Sequence, residues 1–476
     1  MQNVFYSLRE LDKRAEENFN LKNGILMENA ARGSAEKIKN LFPLRSSEAK
    51  RTLQIVCGSG DNGGDGLALA RILYDYFNVI VVCIKEPKSE LCRLQKDRLD
   101  KLKIPIHKTI VPQCDIIFDA FLGTGLKGKL KDEDKKLIEK INEIRAFKIA
   151  CDIPSGLNAE GQASPATVIS NITFSMGALK TAFFSDEAKD ITGKIEVIDL
   201  GLPRSLYEKE TECFLLEKKD LVLPVRKKQN THKKSFGHTA VIAGEKKGAA
   251  FLAASAALKF GTGLVTICSE NEIPMPADFM YSKEFAKEFT SAAVGSGLGK
   301  KSSYALAIIT DKDNENFPFV LDADIFYYEE LKTILPKLKK AVLTPHPKEF
   351  SSLLNICGLG KYSVEEIQSN RFEFVKMFCK KYPDIVLILK GANVLIGQNK
   401  NIFINSFGTS ALSKAGSGDV LTGLTASLLA QNYQPLEAAI SASLAHTSAA
   451  AFIKSSYSLT ASSLIDNLDK LENRFT

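Results

Sequence analysis

No stretch of this chain reaches the ~18 uninterrupted apolar residues of a membrane span, so no segment is expected to cross a bilayer. Its first residues, MQNVFYSLRELDKRAEE, turn charged before an apolar core can form, which argues against a secretory leader. The cysteines, Cys57, Cys83, Cys92, Cys114, Cys151, Cys213, Cys268, Cys357 and Cys379, include no CxxC pair, are odd in number and fall mostly in apolar runs such as Gln54-Ile55-Val56-Cys57. That usage excludes a disulfide framework and predicts reduced, buried thiols in a cytoplasmic protein. A long basic face is missing too. The formal charge of +7 over 476 residues is modest and dispersed, so no nucleic-acid partner is indicated, whereas phosphate-bearing small molecules fit well.

What is present is the balance of a globular protein, 45% hydrophobic and 25% charged, at a length that predicts two large domains. Apolar β-branched runs at Thr52–Cys57, Val79–Ile84, Asp115–Asp119, Phe147–Asp152 and Ile195–Leu200 predict strands. Amphipathic stretches such as Ser89–Lys103 and Asp132–Ile144 predict helices between them. That alternation is the pattern of a parallel sheet covered on both faces. Charges and a proline then interrupt it over residues 203–237, ending in Arg226-Lys227-Lys228-Gln229-Asn230-Thr231-His232-Lys233-Lys234. This is the expected domain connection, as a solvated linker or with His232, Lys233 and Lys234 leaning toward a polyphosphate. A second α/β region follows, with strands predicted at Thr239–Ala243, Leu264–Cys268, Phe319–Asp322, Ala341–Thr344 and Ile385–Lys390. The halves share no convincing repeat, so two different three-layer α/β domains are expected, residues 1–215 and 225–476.

In the first half, the strand Thr52–Cys57 runs into Gly58-Ser59-Gly60-Asp61-Asn62-Gly63-Gly64-Asp65-Gly66 and an expected helix, Leu67–Tyr76. Glycines bare the backbone N–H groups and a helix start adds partial positive charge, a combination suited to phosphate. Two more loops follow strands and carry an aspartate at the mouth: Asp119-Ala120-Phe121-Leu122-Gly123-Thr124-Gly125-Leu126-Lys127-Gly128 and Asp152-Ile153-Pro154-Ser155-Gly156-Leu157. With Leu26-Met27-Glu28-Asn29-Ala30, this half resembles the NAD(P)H-hydrate epimerase family almost throughout residues 1–215. The resemblance implies a Rossmann-like domain in which Asn62, Asp119 and Ser155 coordinate K+. It implies hydrate contacts from Asp61, Asn62, Gly63, Gly64 and Asp65, from Gly123, Thr124, Gly125, Leu126, Lys127, Gly128 and Lys129, and from Asp152. Asp152 is the expected catalytic carboxyl and Lys180 its expected assistant. Asp61 departs from the family, which usually has Asn there.

In the second half, Lys414-Ala415-Gly416-Ser417-Gly418-Asp419 opens a long apolar helix. Bare N–H groups beside a carboxylate make a phosphoryl-transfer site, with the carboxylate receiving a hydroxyl proton. Close helix packing is the plainer alternative for such a run of small residues. The series Lys246-Lys247-Gly248-Ala249-Ala250, Gly295-Ser296-Gly297-Leu298-Gly299, Leu321-Asp322-Ala323-Asp324, Thr344-Pro345-His346-Pro347-Lys348-Glu349 and Lys390-Gly391-Ala392-Asn393 completes the pattern. Together these resemble the ribokinase-like ADP/ATP-dependent NAD(P)H-hydrate dehydratase family over residues 225–476. The resemblance implies hydrate contacts from Ala249, Gly297, His346 and Asp419. It assigns the nucleotide to Lys390, Gly391, Ala392, Asn393, Val394 and Gly418, and makes Asp419 the base. ADP with Mg2+ is the implied co-substrate, NADHX and NADPHX the implied substrates, and a homo-oligomer the expected assembly. Ser296, Lys348 and Ser413-Lys414-Ala415 depart from the family's usual Pro, Gly and Ala-Thr-Gly.

Two rivals stay open on sequence alone. A vitamin or sugar kinase would share the Gly-Ser-Gly-Asp helix start, and an RNA-binding or scaffolding role would suit the N-terminal half. Thr344-Pro345-His346-Pro347 and the fused N-terminal half disfavour the first. The presence of Asn62, Asp119 and Asp152 disfavours the second.

Overall fold

A computed structural model describes residues 1–44, 49–125, 128 and 130–472. The chain divides into two compact units: Asn3–Thr211, and the chain from Glu212 onward with Met1 and Gln2.

The first unit is built on a parallel sheet in the order Ile106–His107, Asn78–Cys83, Thr52–Cys57, Ile116–Ala120, Phe147–Cys151, Ile172–Met176, Lys194–Ile198. Successive side chains of a strand point to opposite faces, and the core divides accordingly. Ile55 and Cys57 pack with Ala31, Ile38, Leu67 and Leu73 of the helices Asn23–Leu41 and Asp61–Leu73. Val56 and Ile117 pack on the other face with Leu137, Ile138 and Ile141 of the helix Asp132–Glu143. The result is three layers, as expected for parallel strands that must be covered on both sides. A short parallel pair adds Val4 and Phe5 of the strand Gln2–Phe5 to Leu179 and Lys180.

The second unit places parallel strands in the order Met280–Ser282, Leu264–Cys268, His238–Ile242, Ser291–Val294, Phe319–Leu321, Ala341–Leu343, Val386–Leu389. The antiparallel strands Val394–Gln398 and Asn401–Asn405 continue it, and Cys213–Leu215 pairs parallel to the last of these. One face is covered by the helices Lys247–Lys259, Ser417–Ala430 and Pro435–Ala450, which bury alanine-rich surfaces against Val241, Val265, Ala293, Val320, Val342 and Val386. Small side chains let two of these helices approach closely. A Cβ at Gly423 would lie 2.1 Å from the Ala253 carbonyl oxygen.

The expected strands are present with ends moved by at most two residues. Two expectations are corrected, and two strands come without one. The helix expected at Leu67–Tyr76 begins at Asp61, so Gly63, Gly64 and Gly66 lie inside it rather than in a loop before it. They are glycines because the helix is pressed onto its surroundings: Cβ atoms there would meet the Gly58 oxygen at 2.0 Å, Met27 Cε at 2.7 Å and Ala120 Cβ at 2.7 Å. The stretch 203–237 is not wholly a linker, since it contains the helix Arg204–Tyr207 and the strand Cys213–Leu215. Ile172–Met176 and Ser291–Val294 are central strands with no expectation behind them, because serine, alanine and threonine dilute their apolar pattern.

Candidate active sites

In each unit the run of parallel strands reverses order once, and loops at the carboxyl ends of strands flanking such a reversal form a natural crevice. In the first unit the reversal lies between Thr52–Cys57 and Ile116–Ala120. Gly58 donates to the Ala120 carbonyl at 2.9 Å, and a Cβ at Gly58 would lie 1.8 Å from the Phe121 oxygen, so the two loops meet backbone to backbone.

Asn62, Asp119 and Ser155 converge at this point. Asn62 Nδ2 donates to the Leu122 carbonyl at 3.1 Å, while Asn62 Oδ1 is buried with no hydrogen-bond partner. Asp119 is fully buried. It accepts from Ser155 Oγ at 2.6 Å, from the Ser155 amide at 2.8 Å and from the Phe121 amide at 3.2 Å. Burial pushes the Asp119 carboxyl up to about 6, against the pull of the Ser155 and Phe121 donors. Ser155 Oγ also accepts from the Leu122 amide at 2.8 Å. Gly123 lies against Asn62, its built Cβ being 3.2 Å from the Asn62 Cβ, with Thr124 and Gly125 following it outward. Gly128 takes φ +75. Leu126, Lys127 and Lys129 lie outside the described residues.

Asp152 holds a left-handed backbone at φ +64, uncommon for a residue other than glycine. What maintains it is Lys180, only 4% exposed, whose Nζ donates to Asp152 Oδ1 at 2.6 Å, to the Asp152 carbonyl at 3.1 Å and to Ser175 Oγ at 3.0 Å. All three ammonium protons are thereby used within the protein. The Met176 amide adds a bond to Asp152 Oδ1 at 3.3 Å. Asp65 feels Asp152, Asp61 and Asp12, and its carboxyl is raised well above the ordinary range, by burial first and by these anions second. Asp61 itself is exposed at the helix start.

In the second unit the reversal lies between His238–Ile242 and Ser291–Val294, and the residues expected at a site lie at the ends of neighbouring strands. Gly297, at φ +69, accepts at its carbonyl from the Lys246 amide at 2.9 Å, and its built Cβ would lie 3.2 Å from Ala249 Cβ. His346 caps the helix Pro347–Ile356: its Nδ1 accepts from the Glu349 amide at 3.2 Å and its own amide donates to Glu349 Oε2 at 2.8 Å. Glu349 reaches on to Lys390, 3.7 Å from Nζ. Lys390 Nζ donates to Asp322 Oδ1 at 2.9 Å, and Thr422 Oγ1 donates to Asp322 Oδ2 at 2.8 Å. Gly418 faces this pair, its built Cβ lying 3.4 Å from Lys390 Nζ.

Asp419 sits in the first turn of the helix Ser417–Ala430, which Gly416 opens at φ +86. Burial pushes its carboxyl up to about 6. The Ser296 hydroxyl, buried but outside full hydrogen-bond geometry, and Lys390 pull it down, while Asp322 and Asp324 push it up. His446 steadies this helix start from behind, with Nε2 2.9 Å from the Ser417 carbonyl and 3.1 Å from Ser417 Oγ. A carbonyl only accepts, so Nε2 carries a proton. Burial lowers the His446 pKa to about 4, which keeps the ring neutral.

Arg371 is the principal site residue that sequence reading missed. It is 2% exposed, and its guanidinium donates to the carbonyls of Asn393 at 2.7 Å, Leu389 at 2.9 Å and Lys390 at 3.0 Å. It thereby fixes Lys390, Gly391, Ala392, Asn393 and Val394, and a Cβ at Gly391 would lie 2.5 Å from the guanidinium. Asp322 and Glu349 stood in recognised motifs without an assigned role. Among the described residues no group of three or more His, Cys, Asp or Glu side chains is arranged to hold a metal ion, and no helix is long and apolar enough to cross a membrane.

Two α/β units, each presenting a carboxylate beside glycine-rich strand ends, define a two-site enzyme of phosphate-bearing substrates. The family described as NAD(P)H-hydrate dehydratase matches residues 239–470, and that described as YjeF-related protein N-terminus matches residues 23–182. The chain is 41% identical to the bifunctional NAD(P)H-hydrate repair enzyme Nnr of Helicobacter pylori, over 99% of this chain and 100% of that protein. It is 32% identical to the Coxiella burnetii protein of the same name, over 84% of this chain and 85% of that one. The chain therefore belongs to the bifunctional NAD(P)H-hydrate repair enzyme family. Among solved structures it is similar to the ADP/ATP-dependent NAD(P)H-hydrate dehydratase of Bacillus subtilis co-crystallised with ATP and Mg2+, at 26% identity and a TM-score of 0.47, over 54% of this chain and 96% of that one.

Proposed function

We propose that the first unit epimerises R- and S-NAD(P)HX and that the second dehydrates the S form to NAD(P)H with ADP, releasing AMP and phosphate. Family membership over the full chain carries this reading. The residue roles below follow the family resemblance, and the geometry supports them.

In the hydrate, a hydroxyl on C6 adjoins the ring nitrogen, which expels it to leave a planar iminium. Asp152 gives the departing hydroxyl its proton, and its carboxylate then faces the cation. Water returns to either face and restores the proton to Asp152. Lys180, with every donor engaged inside the protein, holds Asp152 rather than touching substrate. The glycine-rich helix start at 61–65 and the loop from Gly123 receive the phosphates. Asn62 Oδ1, buried without a partner beside Asp119 and Ser155, supports a hard cation such as K+ held by Asn62, Asp119 and Ser155. Such an ion supplies positive charge beside the phosphates.

In the second unit Asp419 takes the C6 hydroxyl proton, and the oxygen attacks the terminal phosphoryl group of ADP. AMP leaves, the ring nitrogen then expels phosphate, and loss of a C5 proton restores the dihydronicotinamide. Lys390, Gly391, Ala392, Asn393, Val394 and Gly418 hold the nucleotide, while Ala249, Gly297 and His346 line the hydrate. Mg2+ would be carried on the nucleotide phosphates and would neutralise their charge. Cys57, Cys151, Cys268 and Cys379 are buried in the apolar cores, which supports a reducing, cytoplasmic location.

The test incubates an R/S hydrate mixture with the protein, ADP and Mg2+ and follows the return of dihydronicotinamide absorbance. Consumption of both epimers supports the two-site reading. Consumption of one alone removes the epimerase assignment, and no ADP-dependent signal removes the dehydratase assignment.

A further inference from the structure

We propose that Asp12 and Tyr207 are positioning residues for epimerisation, holding the Lys180–Asp152 pair through the turn at Gly177. The inference rests on the reading of Asp152 as the epimerase carboxyl.

Neither residue belongs to a glycine-rich loop, yet both converge on the segment that carries Lys180. Tyr207, 2% exposed, donates from Oη to Asp12 Oδ1 at 2.7 Å. Its ring lies flush with Gly177, where a Cβ would come within 2.6 Å of Tyr207 Cε1. Gly177, at φ +82, follows Met176, whose amide bonds Asp152, and Ser175, whose hydroxyl accepts from Lys180 and donates to the Ala178 carbonyl. From the other side the N-terminal strand pairs Phe5 with Lys180. The helix Arg9–Phe19 that follows this strand brings Asp12 to Tyr207, and Arg14 Nη1 ties that helix to the Glu208 carbonyl at 3.0 Å. Lys180 is thus fixed between the N-terminal segment and Tyr207, and through it the unfavourable backbone of Asp152 is kept.

The electrostatics agree with the geometry. Burial raises the Asp12 carboxyl above its ordinary range, with Tyr207 opposing and Asp152 adding to the rise. Tyr207 is raised by burial first, then by Asp12, Asp152 and Glu208. The charged and titratable groups around Asp152 include Lys180, Asp12, Tyr207 and, from the helix Asp61–Leu73, Asp65.

The experiment measures interconversion of purified R and S hydrate by the full chain without ADP, for Asp12→Asn, Asp12→Glu, Tyr207→Phe and Asp152→Asn. Asp12→Asn and Tyr207→Phe are expected to lower kcat on the order of tenfold, within the range a small misplacement of catalytic groups costs. KM should stay near the parent value, and Asp12→Glu should recover part of kcat. Loss of epimerisation in Asp152→Asn with unchanged kcat in Asp12→Asn and Tyr207→Phe overturns the proposal alone. Survival of epimerisation in Asp152→Asn removes the site reading and the proposal with it. Should Asp12→Asn fail to fold by circular dichroism, Tyr207→Phe decides: a loss confined to thermal midpoint or KM, with kcat unchanged, means a merely structural role and overturns the proposal.

Discussion

Lys390 and Asp322 are 68 residues apart in sequence and form a 2.9 Å ion pair beneath Gly418, with Asp322 almost wholly buried. Burial opposes the Lys390 charge, but Asp322, Glu349 and Asp419 outweigh it and its pKa is raised. The pair gives the site a fixed positive charge on a rigid base, since Thr422 occupies the other Asp322 oxygen.

Asp322→Ala should therefore destabilise the second unit by about 2 kcal/mol, below the range for a fully buried pair because Lys390 keeps some contact with solvent. It should also raise KM for ADP, because Lys390 loses the partner that aims it. Thermal unfolding and ADP titration of the dehydration rate check the two parts separately.

Arg371→Met should weaken nucleotide use more than hydrate use. It leaves the carbonyls of Leu389, Lys390 and Asn393 without their donor, and each buried carbonyl left unpaired costs about 1–3 kcal/mol. The loop will shift to find water, so KM for ADP should rise roughly tenfold or more while KM for the hydrate changes little. Equal changes in both constants would remove the assignment of residues 390–394 to the nucleotide.

These two cases mark what was legible in the sequence. Thr52–Cys57, Leu264–Cys268 and their neighbours announce themselves because parallel strands covered on both faces need continuous apolar runs. The glycine loops stand out because only glycine fits where Gly58 meets Phe121 or Gly295 meets Asp322. Arg371 and Tyr207 carry no such mark. Each lies in an ordinary helical stretch, and its role comes from partners that only the tertiary fold brings near. Ile172–Met176 was hidden for a related reason: Thr173 and Ser175 are buried by hydrogen bonds to Thr192 and Ala178 rather than by being apolar.

Potassium should stabilise the first unit, and less so in acid. The Asp119 carboxyl is pushed up to about 6, so it is largely ionised at pH 7.5 and largely protonated at pH 5, and a protonated carboxyl is a poor cation ligand. Replacing tetramethylammonium chloride by KCl should raise the thermal midpoint at pH 7.5 and have little effect at pH 5. Asn62→Ala should abolish the difference while leaving ADP-dependent dehydration of the S form intact. A midpoint indifferent to K+ in the parent protein would exclude the cation site.

Dehydration should fail on the acid side of about pH 6, where Asp419 takes up its proton. A base must be ionised, so kcat/KM should fall roughly tenfold per pH unit below that point. The folded-state pKa lies above the unfolded value, so protonation of this group favours the folded state as pH falls from 6 toward 4 and does not itself drive unfolding there. Ser296→Ala removes a group that pulls the carboxyl down, so the acid limb should move to higher pH. An unmoved limb would take Ser296 out of the site's electrostatics.

Asp419→Asn tests the two-site assignment most directly. The amide keeps the shape of the helix start but cannot accept the C6 hydroxyl proton, so ADP-dependent dehydration should fall by at least the ~10²-fold of a positioned general base. ADP should still bind, because Lys390 remains paired to Asp322 and Arg371 still holds the nucleotide loop. Epimerisation should continue at the parent rate, because Asp152 and Lys180 belong to the other compact unit, with its own sheet and core. The mirror variant, Asp152→Asn, should lose epimerisation and keep dehydration of purified S hydrate. Near-normal dehydration in Asp419→Asn would remove Asp419 as the base, and loss of both activities in either folded variant would show that the two chemistries are not carried by separate sites.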